Sequence, residues 1–167
     1  MTKRIIVLTF VVCMTIAGLA QKAAKASNGG VVDKAYLQKI WDGWAALDAS
    51  KQKQYYAQGP HVFFDIAPLK YASWDEYEAG VTKELSDYKA AKFTVNDDLQ
   101  IHKAGDAYWV TSTIGSDMTH KSGKRDMGQF RWTAVLEKKD GKWLIVHHQN
   151  SVPVDLQTGR AVLSLKP

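Results

Sequence analysis

Apolar and polar positions change rhythm near residue 89, dividing a helical half of the chain from a strand half. From Asp33 onward, Tyr36, Leu37, Ile40, Trp41, Trp44 and Leu47 fall three or four residues apart, the spacing that lines up one face of an α-helix. Asp33 can accept from the free amides at the helix start, so a first helix is expected there. Residues 50–57 predict a short second helix with Ser50 as its cap, Tyr55 and Tyr56 turned inward, and Gly59-Pro60 as its stop. Residues 62–66 form a short apolar strand closed by Pro68. A third helix is expected over 73–88, where Ser73-x-x-Glu76 is a capping box and Trp74, Tyr77, Val81, Leu85 and Tyr88 supply the apolar stripe.

Beyond Lys89 the period shortens to two. Runs rich in Val, Ile, Thr, Trp and Phe cover 92–102, 107–119, 125–138 and 142–152. Ala104-Gly105-Asp106, Ser122-Gly123-Lys124 and Asp140-Gly141 separate them, and the last is a hairpin signal. Helices followed by antiparallel strands predict an α+β domain. We expect a flexible leader over 27–32, one domain over 33–153 and a C-terminal extension over 154–167. In the domain a curved antiparallel sheet packs on N-terminal helices and leaves a pocket between them.

The first residues change the charge picture. Lys3 and Arg4 precede an uncharged run from Ile5 to Ala20, and Ala24-Lys25-Ala26 has small residues where a signal peptidase needs them. Residues 1–26 therefore read as a secretory signal, cleaved after Ala26 or, as second choice, after Ala20. The run is short for a membrane anchor, which needs about 20 apolar residues. Val12 is too large to precede a lipidated Cys13. The expected location is periplasmic or secreted, with no membrane contact after cleavage. Without Lys3, Arg4, Lys22 and Lys25, 18 basic side chains face 17 acidic ones, so a net charge of +5 falls to +1. Such a domain lacks the basic face that nucleic acid requires. Cys13 is the single cysteine and leaves with the signal, so disulfides, thiol nucleophiles and thiolate metal sites are not expected. His61, His102 and His120 are scattered, and neighbouring His147 and His148 point to opposite faces of a strand, so no metal or other cofactor is expected.

The segment from Gln129 to Pro153 carries Arg-x-Thr, an Asp-Gly turn, Trp-x-Ile-x-His and Ser-x-Pro in sequence. It resembles the last hairpin of the SnoaL-like group within the nuclear transport factor 2-like superfamily. Phe64-Asp65 and Trp74-Asp75-Glu76-Tyr77 are similar to that group's first strand and third helix. The superfamily includes ketosteroid isomerase, polyketide cyclases and the association domain of calmodulin-dependent kinase II. The resemblance implies a cone-like fold over 33–153.

Alternation puts Arg131, Thr133 and Val135 on one face of their strand, and Phe130, Trp132 and Ala134 on the other. It likewise groups Trp143, Ile145, His147, Gln149 and Ser151 against Leu144, Val146, His148 and Asn150. The resemblance implies that the Arg131/Thr133 and His147/Gln149 faces line the cavity. Arg131 would then hold a carboxylate or enolate oxygen and His147 would exchange a proton; alternatively Arg131 pairs with a carboxylate and His147 satisfies a backbone group. Asp65, after three apolar residues, is the candidate general base, or else a turn acid ahead of Pro68. Tyr55 or Tyr56 is a candidate oxyanion donor or a core residue. Trp44 is placed on the pocket wall, Trp41 in the core, and Trp109 on either. Three functions compete: binding of a small, partly apolar, anionic or carbonyl-bearing molecule; an isomerase, cyclase or hydratase working by proton transfer; and a homo-oligomeric assembly module. A homodimer is expected through the outer sheet face, with Phe130, Trp132 and Leu136 as its contacts.

Overall fold

The computed structural model describes residues 30–164. The signal segment 1–26 lies outside the described residues. Helix α1 (Lys34–Trp44) opens where Asp33 accepts the amide of Tyr36 at 2.8 Å, and it buries Leu37, Ile40, Trp41 and Trp44. It stops before Leu47, which turns to a positive φ of 57°. A 3-10 helix (Ala49–Tyr55) follows, capped by Asp48 rather than Ser50. Strand β1 (Phe63–Phe64) is short. Helix α2 (Trp74–Leu85) starts at the expected capping residues: Ser73 accepts the Glu76 amide, and the Glu76 carboxylate accepts the Ala72 amide.

Strands β2 (Tyr88–Val95), β3 (Gln100–Ala104), β4 (Ala107–His120), β5 (Arg125–Lys139) and β6 (Lys142–Ser151) complete the domain. The run expected as one strand over 92–102 is two, because Asp98 turns the chain by accepting the Thr113 amide. Tyr88 begins β2 instead of ending α2, since the Ser86 hydroxyl bonds back to the Lys83 carbonyl at 2.7 Å. The sheet runs β1-β6-β5-β4-β2, with β3 also on β4; β1 is parallel to β6 and the other pairings are antiparallel. The result is an α+β fold in which a curved, open, six-stranded sheet wraps the helices.

The core lies between α1, α2 and the sheet's concave face. Trp41 sits at its centre, with Phe93, Phe130 and Trp132 rings at 5.4 to 5.5 Å. Phe130, Trp132, Ala134 and Leu136 are all buried there. This corrects the expected dimer contacts, because those side chains are consumed within one subunit. Val32, assigned to the leader, is also buried, and Gly30 accepts from the Trp143 indole at 2.8 Å. Trp109 is 42 % exposed and stacks on His102, so it walls no cavity.

Residues after β6 fold back. Val154 bridges to Ala161, Pro153 accepts from Val162, and the Leu163 carbonyl accepts the Gln129 amide at 3.0 Å. Gly128 makes that approach feasible: a Cβ there would lie 2.8 Å from the Leu163 Cβ.

Candidate functional site

A cavity of about 880 Å³ opens between the helices and the concave face of the sheet. Trp41, Trp44, Tyr77 and Phe130 form much of its wall, and Leu163 contributes from the returning tail. Asp65 stands on this wall. Phe63 and Phe64 pair with His148 and Gln149, so the chain leaves β1 beside the end of β6. There Asp65 accepts the Tyr77 hydroxyl at 3.0 Å, the Asn150 amide at 3.1 Å and the Ile66 backbone amide at 2.7 Å. The cavity leaves part of the residue accessible, but packed protein atoms surround its carboxylate. That desolvation raises its pKa above the ordinary carboxylate range, against the three donors, which lower it.

Behind Asp65 lies an aromatic cluster. The Trp44 indole donates to the Tyr56 hydroxyl at 3.3 Å, which leaves that hydroxyl's proton for Nδ1 of His148 at 3.2 Å. His148 is wholly buried, and burial, followed by the neighbouring His147, lowers its pKa to about 3. It is therefore a neutral structural imidazole. Its Nε2 and the Oδ1 of Asn150 have no hydrogen-bond partner among the described residues. On the other side, Gly80 lets the Tyr71 ring lie against α2, where a Cβ would sit 2.4 Å from the ring. The Tyr71 hydroxyl thereby reaches Glu84 at 3.3 Å. Burial and then the charge of Asp65 raise the pKa of Glu84.

At the mouth, His120 and Lys124 both reach Asp126, at 2.6 and 2.8 Å, and Arg125 pairs with Asp117 through Nε at 2.6 Å. Among the described residues no cluster of three His, Cys, Asp or Glu side chains is arranged to hold a metal ion.

Of the expected site residues, Trp44 and Asp65 line the cavity. Arg131, Thr133, His147 and Gln149 do not; they lie on the outer face of the sheet, which corrects the expected orientation. Thr133 does sit opposite Gln149, as the hairpin argument implies, but on the other side. Two causes act. On β5 the large apolar side chains take the core face, which turns Arg131 and Thr133 outward. On β6 a bulge at Val146, between the pairs Leu136–Ile145 and Val135–His147, breaks the alternation. Trp143 and Ile145 face the core before it, and His148 and Asn150 after it. Arg131 is exposed and donates to the Val152 carbonyl; His147 donates from Nδ1 to the Val62 carbonyl at 2.7 Å, the structural alternative named for it. Tyr55 is core, edge-on to Tyr36. Tyr77 and Asn150 were missed. In the sequence Tyr77 reads only as part of the helix stripe, and nothing there places Asn150 inward without the bulge.

A model of the SnoaL-like domain matches residues 34–155. No curated protein sequence matches the chain. Among solved structures, it is similar to a protein of Xanthomonas campestris provisionally assigned as a calcium/calmodulin-dependent protein kinase II association domain, with 27 % identity, 70 % of this chain and 82 % of that one covered, and a TM-score of 0.62. It is similar in fold to a nuclear transport factor 2-like protein of unknown function from Pseudomonas putida KT2440, at 22 % identity, 80 % and 96 % coverage, and a TM-score of 0.67. A third neighbour is a protein of Streptomyces avermitilis provisionally assigned as a dehydratase of the nuclear transport factor 2-like family, at 13 % identity, 73 % and 96 % coverage, and a TM-score of 0.63.

Proposed function

The chain belongs to the SnoaL-like domain family of the nuclear transport factor 2-like superfamily, and from that premise we propose that it is an exported domain that binds a small, largely apolar molecule in the cavity beside Asp65. The observation that carries this reading is the cavity itself: apolar and aromatic walls around a convergent polar cluster, Asp65 flanked by Tyr77 and Asn150. A carbonyl or hydroxyl on the ligand suits that group. The anionic ligand expected from the sequence loses its support, because Arg131 faces solvent.

A second reading, proton transfer on the bound molecule, is favoured by the raised pKa of Asp65 at the cavity wall. Asp65 would take a proton from carbon next to a carbonyl, or give one to a leaving hydroxyl. Binding ranks first because Tyr77 donates to Asp65 and Tyr56 is spent on His148, which leaves neither as a ready oxyanion donor. Self-association through the outer sheet face is also part of the proposal. Val135 and Leu144 lie there half-buried, and the neighbour from Xanthomonas campestris is assigned to an association domain.

The test is non-denaturing mass spectrometry of protein isolated from its exporting cell. A retained small molecule is expected in the wild type and in Arg131→Met, and its loss in Ser116→Trp, which fills the cavity from β4. Equal retention by Ser116→Trp, with the fold intact, would refute the cavity as the binding site.

A further inference from the structure

The charges around the cavity are unevenly settled. Each basic side chain on its lining already has an acid: Lys124 and His120 share Asp126, and Arg125 holds Asp117. On the acidic side the reverse holds. Asp65, Glu84 and Asp87 line the same cavity, and none makes an ion pair with a described residue. The His148 imidazole is buried and neutral, and Arg131 and His147 are on the far face of the sheet. Asp65 and Glu84 stand close enough that the charge of one disfavours the charge of the other.

The charged groups at this end are acceptors. Asp65 and Glu84 offer carboxylate oxygens. The walls add the aromatic side chains of Trp41, Trp44, Tyr77, Tyr88 and Phe93. The unpaired carboxylates outweigh the paired cations of the lining, a low-dielectric cleft focuses that field on its contents, and aromatic rings attract cations. Carboxylates without counter-ions and aromatic walls ask for the same ligand group.

We propose that the ligand carries a protonated amine on an apolar body, with the ammonium between Asp65 and Glu84 and the body against the tryptophan and tyrosine walls. The inference rests on the cavity being the binding site and adds the charge of what it holds. The ammonium supplies the counter-charge that the two carboxylates lack and relieves their mutual repulsion. An anion of the same shape meets that repulsion in full.

Three probes of one shape test this: phenylpropylamine, phenylpropanol and phenylpropionate, titrated calorimetrically into the full mature chain at neutral pH and fixed ionic strength. The amine is expected to bind at least about tenfold more tightly than the carboxylate, the ratio one charge-assisted hydrogen bond supplies, with the alcohol between them. Glu84→Gln should shrink the amine's advantage several-fold and leave the alcohol unchanged. Carboxylate binding as tight as the amine's, or tighter, overturns the charge assignment while the cavity reading stands. If none of the three binds at millimolar concentration, the cavity reading falls and this inference with it. An amine preference that survives Glu84→Gln in full also overturns the placement.

Discussion

Replacing Tyr77 by Phe isolates one bond in the site. The ring is buried against Trp44, Phe63 and His148, and its packing stays. What goes is the hydroxyl donated to Asp65 at 3.0 Å, leaving that carboxylate with Ile66 and Asn150. A hydrogen bond to a charged group contributes about 1.5–3 kcal/mol net and one to a neutral group about 1, so the cost depends on whether Asp65 is ionised. Its folded pKa is raised, so the folded state binds the proton more tightly than the unfolded chain. Stability from this group is therefore full below the unfolded carboxyl pKa and is lost as pH rises through the folded one. Tyr77→Phe should steepen that loss, since the hydroxyl favours the anion. Urea denaturation should show a deficit of about 1 kcal/mol in acid, where Asp65 is protonated, growing to about 2 kcal/mol at neutral pH. In an Asp65→Asn background the deficit should stay flat with pH. The amide can keep all three contacts, its oxygen accepting from Ile66 and Asn150 and its nitrogen donating to the Tyr77 oxygen. A deficit equal at both ends of the pH range, or a slope that persists without Asp65, would refute the reasoning.

Trp132→Ala empties the centre of the core and should cost about 3–5 kcal/mol in urea denaturation, with an unchanged denaturant slope; a loss under 1 kcal/mol would contradict its burial. N-terminal sequencing of the exported protein should begin at Ser27, and an intact Met1 on cytoplasmic protein would sink the export reading. Sedimentation velocity should show a dimer that Val135→Arg dissociates; a monomer at all working concentrations would remove the self-association proposal.

The sequence carried the fold where period and caps spoke together. Asp33 and Ser73 start their helices as their types suggest, and the Asp140-Gly141 turn joins the strands it separates. Asp65 and Trp44 line the cavity and are legible in the sequence, because an acid after an apolar run and a wide tryptophan stripe are visible in one dimension. The inner face of the sheet was misjudged although its signal was present: Phe130, Trp132 and Leu136 alternate with Arg131, Thr133 and Glu137, and the apolar set goes to the core. The bulge at Val146 had no such signal. One extra residue exchanges inside for outside along the rest of β6, and only pairing with β5 reveals it. Asn150 and His148 were illegible for that reason.

The contact between Gly128 and Leu163 separates two rates of change. The matched family segment ends at residue 155, yet part of the cavity wall is built from residue 163. The aromatic core must satisfy many neighbours at once, so its sequence can drift only slowly. The returning tail touches the domain through few backbone bonds, and its side chains can vary without repacking that core. A lineage can therefore re-size its cavity by altering the tail, provided residue 128 stays small enough for the tail to land.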